Sequence, residues 1–148
     1  MAPIEEIKKL IPHRPPFLWV DRIISCTETI IETEKDIPID HEVFSGHYPG
    51  SPITPGVLLC EAIFQSGALL MANSADNQSI DLVPVLTRIT NAKFKRGVFP
   101  GDSTQIKVTL IEVVANVSFL KGTLKVSGKI AVQAEFACMM SHAATPSL

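Results

Sequence analysis

The segment "VLLCEAIFQSGALLMA", from Val57 to Ala72, is an apolar run long enough to form a core helix. Thr54 is predicted to be its N-cap. Pro55 suits the first helical position, because its missing N–H would have no partner there in any case. Apolar residues cover most of the helical circumference. The sequence therefore predicts a helix that is wrapped on nearly all sides.

The segments that could wrap this helix show the two-residue period of β-strands. Between Leu124 and Met140 the apolar residues fall mainly on even positions, and polar residues stand between them. Residues 106–110 alternate in the same way. A turn of odd length around Ser127 and Gly128 would pair even positions with even positions and keep the apolar side chains on one face. An antiparallel sheet around one long helix is an α+β arrangement.

The first forty residues predict a short helix followed by two strands. Ile4, Ile7 and Ile11 recur at helical spacing until Pro12 ends the pattern. The stretches "FLWVDRIISC" and "TIIETEKDIPI", residues 17–26 and 29–39, are rich in β-branched and aromatic residues and are predicted strands, which could pair as a hairpin.

Length and composition limit the possible functions. With 148 residues, 46% of them hydrophobic, the chain can form one domain over residues 1–148, with a polar C-terminal tail expected to fray from about Ser141. A net charge of −2 argues against nucleic acid as a partner. No apolar run reaches the roughly 20 residues of a membrane span, and the N-terminus lacks the order of a signal peptide. We expect a cytoplasmic protein.

Neither metal nor disulfide chemistry is indicated. The three cysteines, Cys26, Cys60 and Cys138, are widely spaced and predict reduced thiols, most of them buried. Cys60 could act as a nucleophile, but a small buried apolar side chain is the better interpretation. The four histidines show no spacing typical of a metal site. The prediction is a protein without a metal.

Glu61 is the one acid inside the apolar helix. A carboxylate that loses its hydration either costs several kcal/mol or has its pKa raised until it holds a proton. Gln65 lies one turn further on the same side and could hold the carboxyl by a hydrogen bond. In the alternative interpretation, Glu61 sits on a narrow solvent-exposed stripe with Gln65 and Ser66.

His47 lies in a loop whose glycines and prolines restrict the backbone. Taken alone, it could be an ordinary surface histidine. In combination, His47, the N–H of Gly56 at the helix N-terminus, and Glu61 about 7 Å further along the helix provide a general base, an oxyanion donor and a general acid. These groups can remove a proton next to a carbonyl and expel a β-hydroxyl.

Four stretches resemble one enzyme family. The run "GHYPGSPITPGVLLCEAIFQ", residues 46–65, closely resembles the signature of the 3-hydroxyacyl-[acyl-carrier-protein] dehydratases of the FabZ type, with the same step from histidine to glutamate. The stretches "IPHRPPFLWVDRI", "NAKFKRGVFPGD" and "GTLKVSGKIAVQAEF" resemble other motifs of that family, so the match covers nearly the whole chain. His13 and Arg14 fall in the first of these, which the family uses structurally, and we assign them no chemistry.

The resemblance implies a hot-dog fold, in which a curved antiparallel sheet wraps a long central helix, and an active site shared across a homodimer. His47 would take the C2 proton, Glu61 would protonate the leaving C3 hydroxyl, the Gly56 N–H would polarise the thioester carbonyl, and Gln65 would orient Glu61. The implied substrate is a (3R)-3-hydroxyacyl chain on the phosphopantetheine of acyl carrier protein, converted to a trans-2-enoyl thioester without a cofactor. Association of three dimers is left open.

Two further expectations concern substrate and carrier. Phe64 stands where the family commonly has alanine, and its ring could narrow the acyl tunnel, so the preferred chain length is open. An acidic carrier protein needs a basic docking site. The candidate residues are Arg88, Lys93, Lys95 and Arg96. The alternative is that these side chains form an ordinary solvated face.

Two other functions share the predicted fold. A hot-dog thioesterase would use a carboxylate to activate water and would release a free acid. A catalytically silent subunit that binds the acyl carrier would need no intact acid–base pair. Because His47 and Glu61 are both present, the dehydratase is the preferred interpretation. Related isomerising dehydratases usually have aspartate in place of Glu61, so isomerase activity is not expected.

Overall fold

A computed structural model describes residues 1–74 and 82–142. The elements are α1 (Ile4–Leu10), β1 (Arg22–Cys26), β2 (Ile30–Asp36), a 3₁₀ helix (Glu42–Ser45), α2 (Gly56–Ala72), β3 (Leu82–Phe94), β4 (Ser103–Val114), β5 (Val117–Val126) and β6 (Lys129–His142). The six strands form one antiparallel sheet in the order β1-β2-β4-β5-β6-β3. Helix α2 lies against β2 to β6. This is the predicted α+β hot-dog fold.

The predicted N-terminal helix and the hairpin after it are confirmed, although both strands are shorter than predicted. Helix α1 ends at Leu10, and β1 and β2 pair as a hairpin in which Cys26 faces Ile31. The predicted first strand began at Phe17, but β1 begins only at Arg22. The reason is that the backbone N–H of Trp19 bonds to a side chain of α2 instead of to a neighbouring strand.

In the hairpin of β5 and β6 the apolar side chains lie on one face, as predicted, but a β-bulge and not an odd-length turn places them there. The turn has two residues, Ser127 and Gly128, with φ of 50° and 77°, as a tight hairpin turn requires. Such a turn pairs even positions with odd ones. A bulge at Ala131 then shifts the register, so that Leu124 faces Val132 and even positions pair with even ones. The expected turn of odd length was therefore wrong, because the extra residue lies in β6.

Helix α2 begins one residue later than predicted. Pro55 is its N-cap, and Thr54 does not cap it. The Thr54 N–H instead donates to Val98 O, and its buried hydroxyl has no hydrogen-bond partner in the described part of the chain. Further along, a Cβ atom on Gly67 would lie 2.7 Å from the Phe136 ring, so the helix approaches the sheet more closely than a side chain would permit.

The two edges of the sheet differ. At one edge, Ala2 bridges to Ile23 of β1. At the other edge, β3 runs for 13 residues and pairs only with β6 among the described strands. The exposed large apolar side chains of β3 are Val85, Leu86, Ile89 and Phe94. The N-terminal segment bridges the first edge at one residue pair, and the second edge is open and partly apolar among the described strands.

The C-terminal strand is longer than expected. We predicted a fraying tail from about Ser141, but Ser141 and His142 pair with β3 because the sheet edge continues to Leu82. The rest of the predicted tail lies outside the described residues. Among the helices described, none is long and apolar enough to cross a membrane.

Candidate active site

Glu61 projects from the second turn of α2, and its side chain is 22% exposed. Its Oε2 accepts a hydrogen bond of 2.8 Å from Gln65 Nε2. Burial raises the pKa of Glu61, and the bond from Gln65 partly opposes this effect. Gln65 and Ser66 are fully buried, so the solvent-exposed stripe considered above does not exist.

Gln65 has a determined orientation. Its Oε1 accepts from the Trp19 N–H at 2.7 Å, and its Nε2 donates to Phe17 O at 2.8 Å. A backbone N–H can only donate and a carbonyl oxygen can only accept. The amide is therefore placed without ambiguity, and the remaining hydrogen of its Nε2 points to Glu61. The backbone of the irregular segment before β1 therefore fixes the Gln65 amide, and the Gln65 amide in turn binds Glu61.

The two oxygens of Glu61 consequently differ. Oε2 receives an N–H, so a proton on the carboxyl belongs on Oε1. Within the part of the chain that the structure describes, no hydrogen bond reaches Oε1. A carboxyl whose pKa is raised, and which has one oxygen without a partner among the described residues, can donate a proton.

His47 follows the 3₁₀ helix in a closed loop. Its Nδ1 lies 2.8 Å from Ile53 O, and because a carbonyl oxygen only accepts, Nδ1 carries the hydrogen. The lone pair of a neutral imidazole is then on Nε2, which is the atom of a general base. The Tyr48 ring stacks on the imidazole with centroids 4.1 Å apart. In the described single chain, no hydrogen bond or ion pair joins His47 to Glu61.

Gly56 is the first residue of α2, so its N–H has no acceptor within the helix. A Cβ atom at this position would lie 2.8 Å from the ring of Phe94, which comes from the end of β3. A side chain here would require the Phe94 ring, which is 56% exposed, to move. The backbone N–H at the helix N-terminus is a candidate donor to a carbonyl oxygen.

A family model described as a FabA-like domain matches residues 11–135. The chain belongs to this family. The curated 3-hydroxyacyl-[acyl-carrier-protein] dehydratase FabZ of Clostridium perfringens strain SM101 is 38% identical over 135 residues, with 91% of this chain and 96% of that protein covered. The FabZ of Proteus mirabilis strain HI4320 is 40% identical over 136 residues, with 91% of each covered. The resemblance to the FabZ type is confirmed.

Solved structures confirm the fold alone. The dehydratase heterocomplex ApeI:P from Xenorhabdus doucetiae matches with a TM-score of 0.77, covering 92% of this chain and 91% of that chain at 14% sequence identity. The crystal structure of an uncharacterized protein from Pyrococcus horikoshii, PH1136, matches with a TM-score of 0.67, covering 94% of each chain at 16% identity.

The remaining predicted site residues of this FabA-like chain are Phe64 and four basic side chains. Phe64 is buried against Phe136, with ring centroids 4.9 Å apart. The four basic candidates are all exposed, two on β3 and two directly after it: Arg88, Lys93, Lys95 and Arg96. Within the described ranges, no group of three or more His, Cys, Asp or Glu side chains could hold a metal ion.

Sequence reasoning missed two neighbours of Glu61. His13 Nε2 lies 3.8 Å from Glu61 Oε2, although we had assigned His13 no chemistry. Burial, together with the charge of Glu61, raises the pKa of the Cys138 thiol on β6 to about 12. The motif around His13 was the only sequence feature that pointed to this histidine, and a motif does not show that its side chain lies beside Glu61. Cys26, Cys60 and Cys138 are all free thiols, and Cys60 and Cys138 are buried.

Proposed function

We propose that this protein dehydrates a (3R)-3-hydroxyacyl chain on acyl carrier protein to the trans-2-enoyl thioester, in fatty-acid or related biosynthesis. The observation that carries the proposal is Glu61, a partly buried carboxyl whose pKa is raised and whose Oε1 has no hydrogen-bond partner among the described residues. The names of the curated relatives support the same reaction, a hydro-lyase reaction. The proposal treats residues 1–148 as one catalytic domain.

The reaction needs two proton transfers. His47 Nε2 removes the C2 proton, and the C–H electron pair forms the C2=C3 bond. Glu61 Oε1 gives its proton to the C3 hydroxyl, and the C–O bond breaks to release water. The Gly56 N–H stabilises the negative charge that develops on the thioester oxygen. One turnover leaves His47 protonated and Glu61 ionised, so a proton returns between them through solvent, and the balance requires no cofactor.

The proposal includes a homodimer formed through the open edge of β3. Unpaired backbone groups along a 13-residue strand are a template for another strand, and large apolar side chains flank them. Ile89 and Phe94 are 51% and 56% exposed in the single chain. Because no contact joins His47 and Glu61 of one chain, we propose that His47 of one subunit faces Glu61 of its partner. A trimer of such dimers stays a prediction.

Carrier docking and chain length complete the proposal. The exposed basic side chains along and after β3 would attract an acidic carrier protein. The buried ring of Phe64 would limit the space for the acyl chain on the neighbouring side of α2. A cytoplasmic location stays a prediction.

The direct test incubates the purified protein with a short and a long (3R)-3-hydroxyacyl-carrier thioester and follows the loss of one water by intact mass. The wild type is expected to dehydrate the thioester, and Glu61→Gln is not. The ratio of the two rates, compared between wild type and Phe64→Ala, reports the role of Phe64. A freed carrier thiol would instead indicate the thioesterase, and an unchanged hydroxyacyl chain with every carrier would indicate the silent subunit.

Mixing two inactive variants tests the shared site. His47→Ala and Glu61→Gln are refolded together so that their subunits exchange. In a mixed dimer one site keeps both groups, so about a quarter of the wild-type activity should return, since half of the dimers are mixed and half of their sites are intact. Each variant refolded alone is the control. A mixture that stays inactive although subunits exchange would contradict the shared site.

A further inference from the structure

The side chain of His13 lies beside Glu61, the proposed general acid, although His13 is not part of helix α2. It lies in the segment between α1 and β1, and its Nε2 is 3.8 Å from Glu61 Oε2. The His13 and Glu61 side chains are 24% and 22% exposed. The segment is held in place because the guanidinium of Arg14 donates to Lys8 O and Ile11 O at 2.9 and 3.0 Å. His13 therefore reaches Glu61 from a fixed backbone.

The protonation of His13 follows from its surroundings. Burial and the neighbouring Arg14 lower the pKa of His13, so its ring is neutral near pH 7. Nδ1 is buried and has no hydrogen-bond partner in the described residues. A stranded N–H is rarer in proteins than an under-satisfied acceptor, so the hydrogen belongs on Nε2. The N–H of His13 then points towards Glu61.

We propose that His13 is a positioning residue that directs its Nε2–H to Glu61 Oε2 and thereby keeps the transferable proton of Glu61 on Oε1. This inference rests on the proposed role of Glu61 as the general acid. Gln65 and His13 converge on the same oxygen. The separation of 3.8 Å is longer than a hydrogen bond and shortens when Glu61 gives up its proton, because the carboxylate attracts the N–H more strongly.

The other titratable neighbours do not compete for this role. The Cys138 thiol has a pKa of about 12 and stays neutral in the working range of the enzyme. Arg14 uses its guanidinium on backbone carbonyls, including that of His13 itself. Gln65 is neutral. His13 is thus the group near Glu61, within the described chain, whose replacement removes an N–H from Oε2 without disturbing the bonds of Gln65.

The test compares His13→Leu, which removes the N–H, with His13→Gln, which can restore one. Because the N–H stabilises the ionised carboxyl, its loss should raise the pKa of Glu61 further. The alkaline limb of the kcat profile, where the general acid loses its proton, should move to higher pH in His13→Leu. We expect kcat to fall about tenfold with KM unchanged, as for one lost bond to a charged group, and His13→Gln to recover part of both changes.

A second readout does not depend on activity. Carbon-13 NMR of labelled glutamate carboxyls, assigned with Glu61→Gln, should show the higher pKa directly in His13→Leu. His41→Asn is the control: the His41 ring is also partly buried and packs on Trp19 at 5.1 Å, and the hydrogen bond that it accepts from the Val43 N–H is one that asparagine can still accept. This control should leave the alkaline limb in place.

The outcomes separate the two proposals. If Glu61→Gln keeps near-normal turnover, the proposed general acid is wrong. If Glu61→Gln is inactive while His13→Leu keeps the wild-type pH profile and the wild-type pKa of Glu61, only the positioning role is overturned. Lower thermal stability in His13→Leu, with the limb unmoved and no recovery in His13→Gln, would show a structural role and would also overturn it.

Discussion

Glu61 and Ser66 of helix α2 carry polar side chains that differ in their hydrogen bonding. On one face, Glu61 accepts a hydrogen bond from Gln65 at Oε2, and its Oε1 has no hydrogen-bond partner among the described residues. On another face, Ser66 donates to Ala62 O at 2.8 Å and lies 2.8 Å from the Thr33 hydroxyl. Both hydroxyls of the second pair are neutral and bonded. The first group has unused hydrogen-bonding capacity, and the second has a closed set of bonds.

The difference separates polar groups that stabilise the fold from those that are available for chemistry. Buried polar groups in proteins are normally satisfied, as Ser66 and Thr33 are. Glu61 differs because its side chain is 22% exposed and its pKa is raised, and ionisable groups with shifted pKa values concentrate at functional sites. We therefore expect loss of the Glu61 carboxyl to affect turnover, and loss of a satisfied buried hydrogen-bonding group, at Gln65 or Ser66, to affect stability.

The largest expected effect is on turnover in Glu61→Gln. The amide cannot give a proton to the leaving hydroxyl, so the rate should fall by a factor on the order of 10² to 10⁴. Removing a buried ionisable group should leave the thermal midpoint unchanged or higher. Steady-state kinetics and thermal melts of the same preparations measure both. The matched control is Ser66→Ala, whose turnover should stay close to the wild-type value, and an equal loss in both variants would break the comparison.

The second effect is the stability of Gln65→Leu. The substitution leaves the Trp19 N–H and the Phe17 carbonyl without their partner, so the free energy of unfolding should fall by about 3 kcal/mol, from two stranded groups. Chemical denaturation measures the loss. Val57→Leu, at a position of the same helix that is 74% exposed, should change by less than about 0.5 kcal/mol. A loss as small as that of the control would mean that the segment before β1 does not depend on Gln65.

The third effect is the stability of Ser66→Ala. The Thr33 hydroxyl loses its partner, so the free energy of unfolding should fall by about 2 kcal/mol. Adding Thr33→Val removes the stranded group, and the double variant should regain most of the loss. Denaturation of the single and double variants gives the interaction energy. Additive losses would show that the two hydroxyls are not a closed pair.

The smallest effect is the pH dependence of stability. Burial raises the pKa of Glu61 above its value of 4.5 in the unfolded chain. A carboxyl with a raised pKa binds its proton more tightly in the folded state, so its contribution is fully present below pH 4.5 and is lost as pH rises through the folded pKa. The wild type should therefore lose stability relative to Glu61→Gln across that window. Parallel denaturation curves of the two proteins at each pH measure it, and a constant difference would contradict the raised pKa.

Local patterns predicted the elements better than their connections. The alternation before and after Gly128 was enough for an antiparallel hairpin with one apolar face, but not for the bulge at Ala131, because a bulge and a longer turn give the same pattern. Thr54 has the composition of an N-cap, yet Val98 binds its backbone and the helix begins later. These details depend on partners that are distant in the chain.

The sequence by itself determined that a long apolar helix is wrapped by an antiparallel sheet, because periods of 3.6 and 2 residues state which faces are buried. It also identified Glu61 and Gln65 as an acid and its holder, one helical turn apart. Only the tertiary structure decided which oxygen of Glu61 is free and that His13 faces the other one. The donor and acceptor of each hydrogen bond, and the burial of each side chain, depend on contacts between segments that are distant in the chain. Local sequence patterns do not specify those contacts.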